Sequence, residues 1–482
     1  MAINKYQKYI SSLLGTMIYL IGMGSLISLP TLNVYITSYI KLKQQSITMH
    51  YGLFLQPIIT LTMSIANPIG GYIEKKIGFH YSIILGNIIS LIGIFGLYLI
   101  QNIWLCYLFL IIIGFSCFSL NIPTKNILFY YPEKKGFIGA VINLALQISV
   151  SIYNLIGEVI INKEGYSFKD NETYYPEKIA KNTPTFYIFQ MIILPILTLL
   201  SLLFIYVYDS SFDNENNVQI ENQFTSFLEE NNIKNNVLNL EIDTSTPTNE
   251  NEEEDKKEKD EKYKNDIKKA IKSKQFRLLC GISFCLGFIV NYVALTFRIF
   301  AALIGMKGDI FKVLTIVQAL LILTFTPIWG CLIDQIGAKI ILTINCCLCL
   351  ILGILLIFSI NFPFLYILSI GITVINVQGL NTAINTHILD IFTIKYSLEI
   401  GGLITLFIGL TGIISSILSF VISLFYTEKD ELKTSYRIIY ICGTIVVVIG
   451  LILNNFESGE KFNFDDDKDL TTDNGEKNII KS

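Results

Sequence analysis

The sequence predicts an all-α membrane protein, with twelve transmembrane helices in two pseudo-symmetric six-helix bundles. Three observations carry that expectation. Long apolar runs recur along the 482 residues, SIILGNIISLIGIFGLYLI from Ser82 and LYILSIGITVINV from Leu365 among them, and a helix needs about 20 mostly apolar residues to cross a bilayer. The runs come as six, a polar break, and six more. One octet nearly repeats, GYIEKKIG at 71–78 and GCLIDQIG at 330–337, each after the second run of its half.

Composition agrees. Hydrophobic residues make up 52% of the chain and charged residues only 16%, against about 25% charged in an average soluble domain; mean hydropathy is +0.55. The formal charge of −3 says little, because the acidic residues concentrate in the central break and the tail. The nine cysteines lie in or beside apolar segments and lack zinc-ligand spacing with histidine. They read as small apolar residues, with neither a disulfide framework nor a metal site. No phosphate-binding P-loop, zinc-protease pattern or serine elbow stands out, so neither an enzyme nor ATP-driven transport is indicated. No cofactor is expected.

Along the chain, MAINKYQKYI precedes the first apolar run. That leaves no room for a cleavable presequence, so the run is expected to stay as the first membrane helix. Spans near 10–38, 51–71, 79–100, 103–127, 137–161 and 184–208 build an N-terminal bundle, residues 1–208. The break at 209–275 is rich in Asn, Glu, Asp and Lys (NENNVQIENQ, NEEEDKKEKDEKYK). It should be a largely disordered cytoplasmic linker, because it cannot bury enough apolar surface to offset the entropy of ordering. It closes on KKAIKSKQFR, a basic collar that favours the cytoplasmic side, as a topology anchor or as an anionic-lipid contact. Spans near 278–302, 311–333, 339–360, 364–388, 400–425 and 436–454 form the C-terminal bundle, 276–456, and 457–482 is an acidic cytoplasmic tail. Both termini are then cytoplasmic, and the glycosylation triplet NET at 171–173 faces outward.

The repeat extends beyond the octets. YYPEKKGFIGA at 130–140 follows span four, and DIFTIKYSLEIGG at 390–402 follows span ten. Duplicated helix bundles are the usual build of secondary transporters, with the substrate site between the halves near the bilayer midplane. The octets, read as G-x-x-x-D-x-x-G with a basic residue after it, resemble the signature of the major facilitator superfamily. Gly330, Asp334, Gly337 and Lys339 fit it. The first copy, with Gly71, Gly78 and Lys76, departs: Lys75 stands where the acid belongs and Glu74 comes one place early. The resemblance implies that these residues latch the cytoplasmic side and part during transport; a purely structural role is the alternative. Tyr131-Pro132-Glu133-Lys134-Lys135-Gly136 and the segment into span eleven are similar to the oxalate–formate antiporter and monocarboxylate transporter branches. Those branches commonly carry a cation in span eight or eleven. Here span eight has only Lys312, at its outer edge, and span eleven has none.

Ionisable groups inside spans cost about 2.5–3.5 kcal/mol at mid-membrane on insertion scales, so each needs a reason. Arg298, late in span seven, is the preferred anion partner, since a guanidinium binds a carboxylate bidentately; snorkelling to the interface is the alternative. Lys125, late in span four, reads as snorkelling inward, with binding the alternative. Glu158, late in span five, is a proton-coupling carboxylate or an interfacial residue. The resemblance places Asn33, Asn121, Asn291, Asn376, Gln378 and Asn381 on the cavity-lining helices, where amides orient a polar solute or hold helices together.

The function expected is secondary active transport of a small organic solute by alternating access, with proton coupling or exchange. The expected cargo is a monocarboxylate-type organic anion, pantothenate-like cargo being a variant. An exporter of drugs or amphipathic metabolites is the alternative, and a non-transporting membrane sensor a third reading. The partners expected are the small-molecule substrate and the lipid bilayer, with no nucleic acid and a functional monomer, in the plasma membrane or an internal organelle membrane.

Overall fold

The computed structural model describes residues 5–164, 166, 174–208, 249–304, 308–425, 429–462 and 464. Every regular element among them is helical. The NET triplet, residues 209–248 of the break and the tail beyond 464 lie outside the described residues.

Spans one to six run Tyr6–Lys43, Tyr51–Ile77, Phe79–Tyr98, Ile103–Tyr130, Pro132–Ile161 and Glu177–Phe204. Spans seven to nine run Lys274–Phe297, Ile316–Ile336 and Ala338–Ser359, and the last runs Asp430–Phe456. Between them one continuous helix is assigned over Pro363–Phe425, 63 residues long. At 1.5 Å per residue it would be about three times as long as the ~30 Å hydrocarbon core is thick. It is two crossings. The helical path breaks at Thr393 (φ 62°, ψ 159°), which separates spans ten and eleven and completes the expected twelve.

Two spans are broken in ways that shape the interior. A 3-10 turn at Leu29–Leu32, opening on Pro30, interrupts span one. Another at Cys117–Ser119 interrupts span four and starts a second helix, Asn121–Tyr130. The Tyr19 hydroxyl shares a 2.7 Å hydrogen bond with Ser119 and ties the two together. Each half has its own apolar core: Tyr19, Leu26, Ile83, Leu110, Ile127 and Phe186 belong to one, and Leu286, Ile341, Cys349, Tyr366, Ile391 and Tyr440 to the other.

One expectation is corrected. Within the break, Asn249–Lys272 is a helix. Tyr263, Asp266, Ile267, Ala270 and Ile271 fall at i, i+3, i+4, i+7 and i+8, one apolar stripe of a helix. Ala270 is fully buried, and Tyr263, Ile267 and Ile271 pack on the core of the second half. The Tyr396 hydroxyl donates to Asp266 Oδ2 at 2.8 Å. Average composition hid this stripe among charges that face away from it.

The start of the tail docks on the same corner. The Phe462 N–H donates to the Ile391 carbonyl at 2.9 Å. Tyr396 is sandwiched, with Phe464 stacked at 4.2 Å and Tyr263 at 4.9 Å. Glu457, just beyond span twelve, lies 3.0 Å from His387 Nε2 and receives the Gly459 N–H. Burial alone would raise its carboxyl; the hydrogen bonds from His387 and Gly459 and the positive charges nearby hold it below the ordinary value instead.

Thr393 occupies a region of backbone space that is essentially reserved for glycine and costs about 1–3 kcal/mol to hold. Glycine adds unfolded-state entropy of about 0.4–1 kcal/mol, so Thr393→Gly should stabilise the protein by about 1 kcal/mol, read as a raised thermal midpoint in detergent. Because the Glu457 carboxyl is depressed, its contribution to tail docking is fully present above the ordinary value of 4.5 and is lost as pH falls below it. Hydrogen exchange of the 457–464 peptide, corrected for intrinsic rate, should show protection falling in that acid range.

Candidate functional site: the seam and the cavity between the halves

Two contacts built from the octets join the halves at the face that carries the termini. Asp334, in the last turn of span eight, accepts the backbone N–H groups of Gly136 and Phe137, each at 2.8 Å. These lie in the first turn of span five, where N–H groups have no partner within the helix and the dipole favours a negative charge. Gly330 lies one turn earlier, and a Cβ there would meet the Gly136 carbonyl at 2.8 Å. The closing glycines cap their helices with positive φ, +87° at Gly78 and +90° at Gly337, a conformation glycine adopts freely.

The first half joins the halves at the matching position by a different contact, an ion pair between side chains. Lys75 takes the octet position of Asp334, and the acid has moved to its partner helix: Glu399 of span eleven lies 3.6 Å from Lys75 Nζ. A Cβ on Gly71 would collide with that carboxylate. The departure from the family pattern therefore puts a side-chain ion pair where the second half has a carboxylate on backbone N–H groups. The Lys75 ammonium lies over the Tyr263 ring of the linker helix. Burial and the Glu399 charge push the Tyr263 phenol far up, so it stays neutral. A third contact, Lys135 to Asp390 at 3.7 Å, also crosses the seam. Glu74 turns the other way, to Lys125 at 3.6 Å. Lys339 stays within the second half, bonded to the Glu457 carbonyl, and Lys76 is exposed.

Behind these contacts lies a cavity of about 150 Å³, lined by residues of spans one, four, five, ten and eleven. Its polar wall includes Asn121 and Lys125 of span four, Lys135 and Asn143 of span five, and Thr382 and Thr386 of span ten. Among the described residues no carboxylate lines it. Lys125 and Lys135 have carboxylate partners behind the wall at 3.6 and 3.7 Å. Charge-assisted hydrogen bonds are shorter, about 2.7–2.9 Å. An ammonium has three donors, so both lysines retain donors for a solute.

Of the amides named from sequence, Asn121 reaches this cavity. Asn291 donates to the Ile408 carbonyl at 3.0 Å and to Thr411 at 2.7 Å, joining spans seven and eleven. Asn376 is buried and donates to Cys349 Sγ at 2.7 Å. Gln378 accepts from Asn143 at 3.4 Å and Thr326 at 3.3 Å, a bridge between spans five, eight and ten. Asn33 and Asn381 are half-buried and do not line the cavity, and Glu158 is exposed. Arg298 lies in the helix Lys274–Leu303; its side chain lies outside what is described. Sequence reasoning passed over Lys135, Asn143, Thr382 and Thr386. Their helical spacing was the available signal: Lys135, Gly139 and Asn143 are four apart, as are Thr382 and Thr386, and such residues share one helix face.

A family model described as Major Facilitator Superfamily matches residues 13–307. Among solved structures, the chain is similar to the proton:xylose symporter XylE bound to 6-bromo-6-deoxy-D-glucose, at 14% identity and a TM-score of 0.60 over 95% of this chain and 97% of that one. It is also similar to the E. coli fucose:proton symporter FucP, at 14% identity and a TM-score of 0.58 over 94% and 99%. No curated protein matches.

Asp334→Ala removes two hydrogen bonds to a charged group, each worth about 1.5–3 kcal/mol. A thiol placed in the cavity by Asn143→Cys, with native cysteines replaced, should then react with a water-soluble maleimide at least about tenfold faster. The Lys75–Glu399 pair predicts a rescue as well. Lys75→Glu and Glu399→Lys should each speed that labelling, and the double variant should bring it back towards the parent rate.

Proposed function

The chain belongs to the major facilitator superfamily, and on that premise we propose that this membrane transporter carries a small organic anion of monocarboxylate type. The observation that supports the reading is the cavity wall, which offers two ammonium groups, amides and hydroxyls and no carboxylate. The resemblance of the span four–five loop to monocarboxylate carriers points the same way. So does the size. A cavity of about 150 Å³ takes a benzene-sized guest, which suits a cargo of a few heavy atoms better than pantothenate.

In this reading Lys125 and Asn121 bind the cargo between the halves, and Arg298 is an anion partner from span seven, open to the same test. The collar Lys268, Lys269, Lys272, Lys274 and Arg277 sets the terminus-bearing face on the cytoplasmic side. There the Asp334 contact and the Lys75–Glu399 pair close the inner mouth, and their parting exposes the cavity to the cytoplasm. The carrier acts as a monomer, in the plasma membrane or an organelle membrane.

Uptake into proteoliposomes of labelled pyruvate, lactate, formate, oxalate, pantothenate, a neutral sugar and an amino acid tests the reading, with and without an inward proton gradient. One or more of the small carboxylates should accumulate. Lys125→Gln should raise the half-saturating concentration by about tenfold, the loss of one charge-assisted bond, and Arg298→Ala should lower uptake. Movement of the sugar alone would replace the anion by a neutral polyhydroxyl cargo.

A further inference from the structure

The pairing of Lys125 with Glu74 is not the latch contact that the octet suggests. Lys125 lines the cavity and Glu74 does not. Their charged groups are 3.6 Å apart, with side-chain exposures of 11% and 20%. Glu74 Oε2 is fully buried and accepts no hydrogen bond among the described residues. The carboxylate is therefore held by charge, as Glu399 is by Lys75 across the same 3.6 Å, and what sets its pair apart is that the cation faces the cavity.

Resting on the anion reading of the cavity, we propose that Glu74 is a resident ligand of the cargo site: it neutralises Lys125 while the site is empty, gives the lysine up to the incoming carboxylate, and then takes a proton. The charge balance supports each step. A buried ammonium cannot be left without an anion, so Lys125 holds either Glu74 or the cargo. Once displaced, Glu74 has no free cation. Lys75 of its own helix is paired with Glu399. Glu399 of span eleven and the neutral Tyr263 of the linker helix are the other groups whose charge it meets, and Glu399 repels it. A buried carboxylate facing a like charge is relieved by binding a proton.

The empty carrier then holds Lys125 positive and Glu74 negative. The loaded carrier holds Lys125 positive, the cargo negative and Glu74 protonated. The net charge of the site is the same in both, so neither form carries extra charge across the bilayer. Cargo without a proton would leave a buried excess negative charge, and that form is excluded. One proton accompanies each anion, and the exchange happens one residue from Lys75, at the seam itself.

The test uses the full chain in proteoliposomes with labelled pyruvate, lactate and formate. Wild-type uptake should follow the pH gradient and ignore a potassium–valinomycin potential. In weakly buffered detergent solution, anion binding should take up about one proton per anion, read with an indicator dye. Glu74→Gln should lose accumulation driven by the pH gradient, by about tenfold or more, while still exchanging labelled for unlabelled anion. Retained gradient-driven accumulation in Glu74→Gln, or anion binding to the wild type without proton uptake, would overturn the exchange while leaving the anion site standing. If Glu74→Gln is inert, the wild-type proton count decides alone. If none of the three anions moves or binds, both the anion site and the exchange fall.

Discussion

The structure turns on a carboxylate meeting a helix end. Asp334 of one half holds the two free N–H groups at the start of span five in the other. The bond is strong because the acceptor is charged and the donors lack helical partners. It is also breakable, because water can replace the carboxylate at both donors. Much of the rest accommodates this meeting. Gly330 brings the helices close enough, Gly337 turns the chain away beyond the contact, and the paired halves enclose the cavity behind it.

The mirrored contact shows what the duplication preserved and what it left free. Position is kept, since Lys75 occupies the octet place of Asp334, and close approach is kept, through Gly71. The sign of the charge is not, because the partners differ in kind: Asp334 meets backbone N–H groups, and Lys75 meets the Glu399 carboxylate of span eleven. The lysine also leaves a cation for the ring of Tyr263, so the linker helix can settle where a carboxylate would leave the face of the ring unfavourable.

The linker helix and the tail meet on one aromatic residue. Tyr396, near the start of span eleven, lies between Tyr263 and Phe464, and its hydroxyl is held by buried Asp266. Both extramembrane segments therefore fix the same short stretch that presents Glu399 to the seam. The cavity residues Ser397 and Leu398 lie on that stretch too, so packing outside the membrane and the shape of the cavity wall are mechanically continuous.

By itself the sequence determined the membrane setting, the six-and-six plan and the octets, because apolar length, period and glycine spacing are local properties that a bilayer and a helix read directly. It placed six amides on the cavity-lining helices without separating Asn121, which lines the cavity, from the other five. It missed the helix at 249–272 because composition was averaged over a segment whose five-residue stripe carries the fold. Only the tertiary structure decided that Asn291, Asn376 and Gln378 bond neighbouring helices, that Lys135 and Asn143 turn to the cavity, and that Glu74 pairs with Lys125 and not across the seam. The physical reason is common to all of these. Which partner a buried polar group finds depends on residues far along the chain on other helices (Lys125 on Glu74, 3.6 Å), and no periodicity within one helix records that choice.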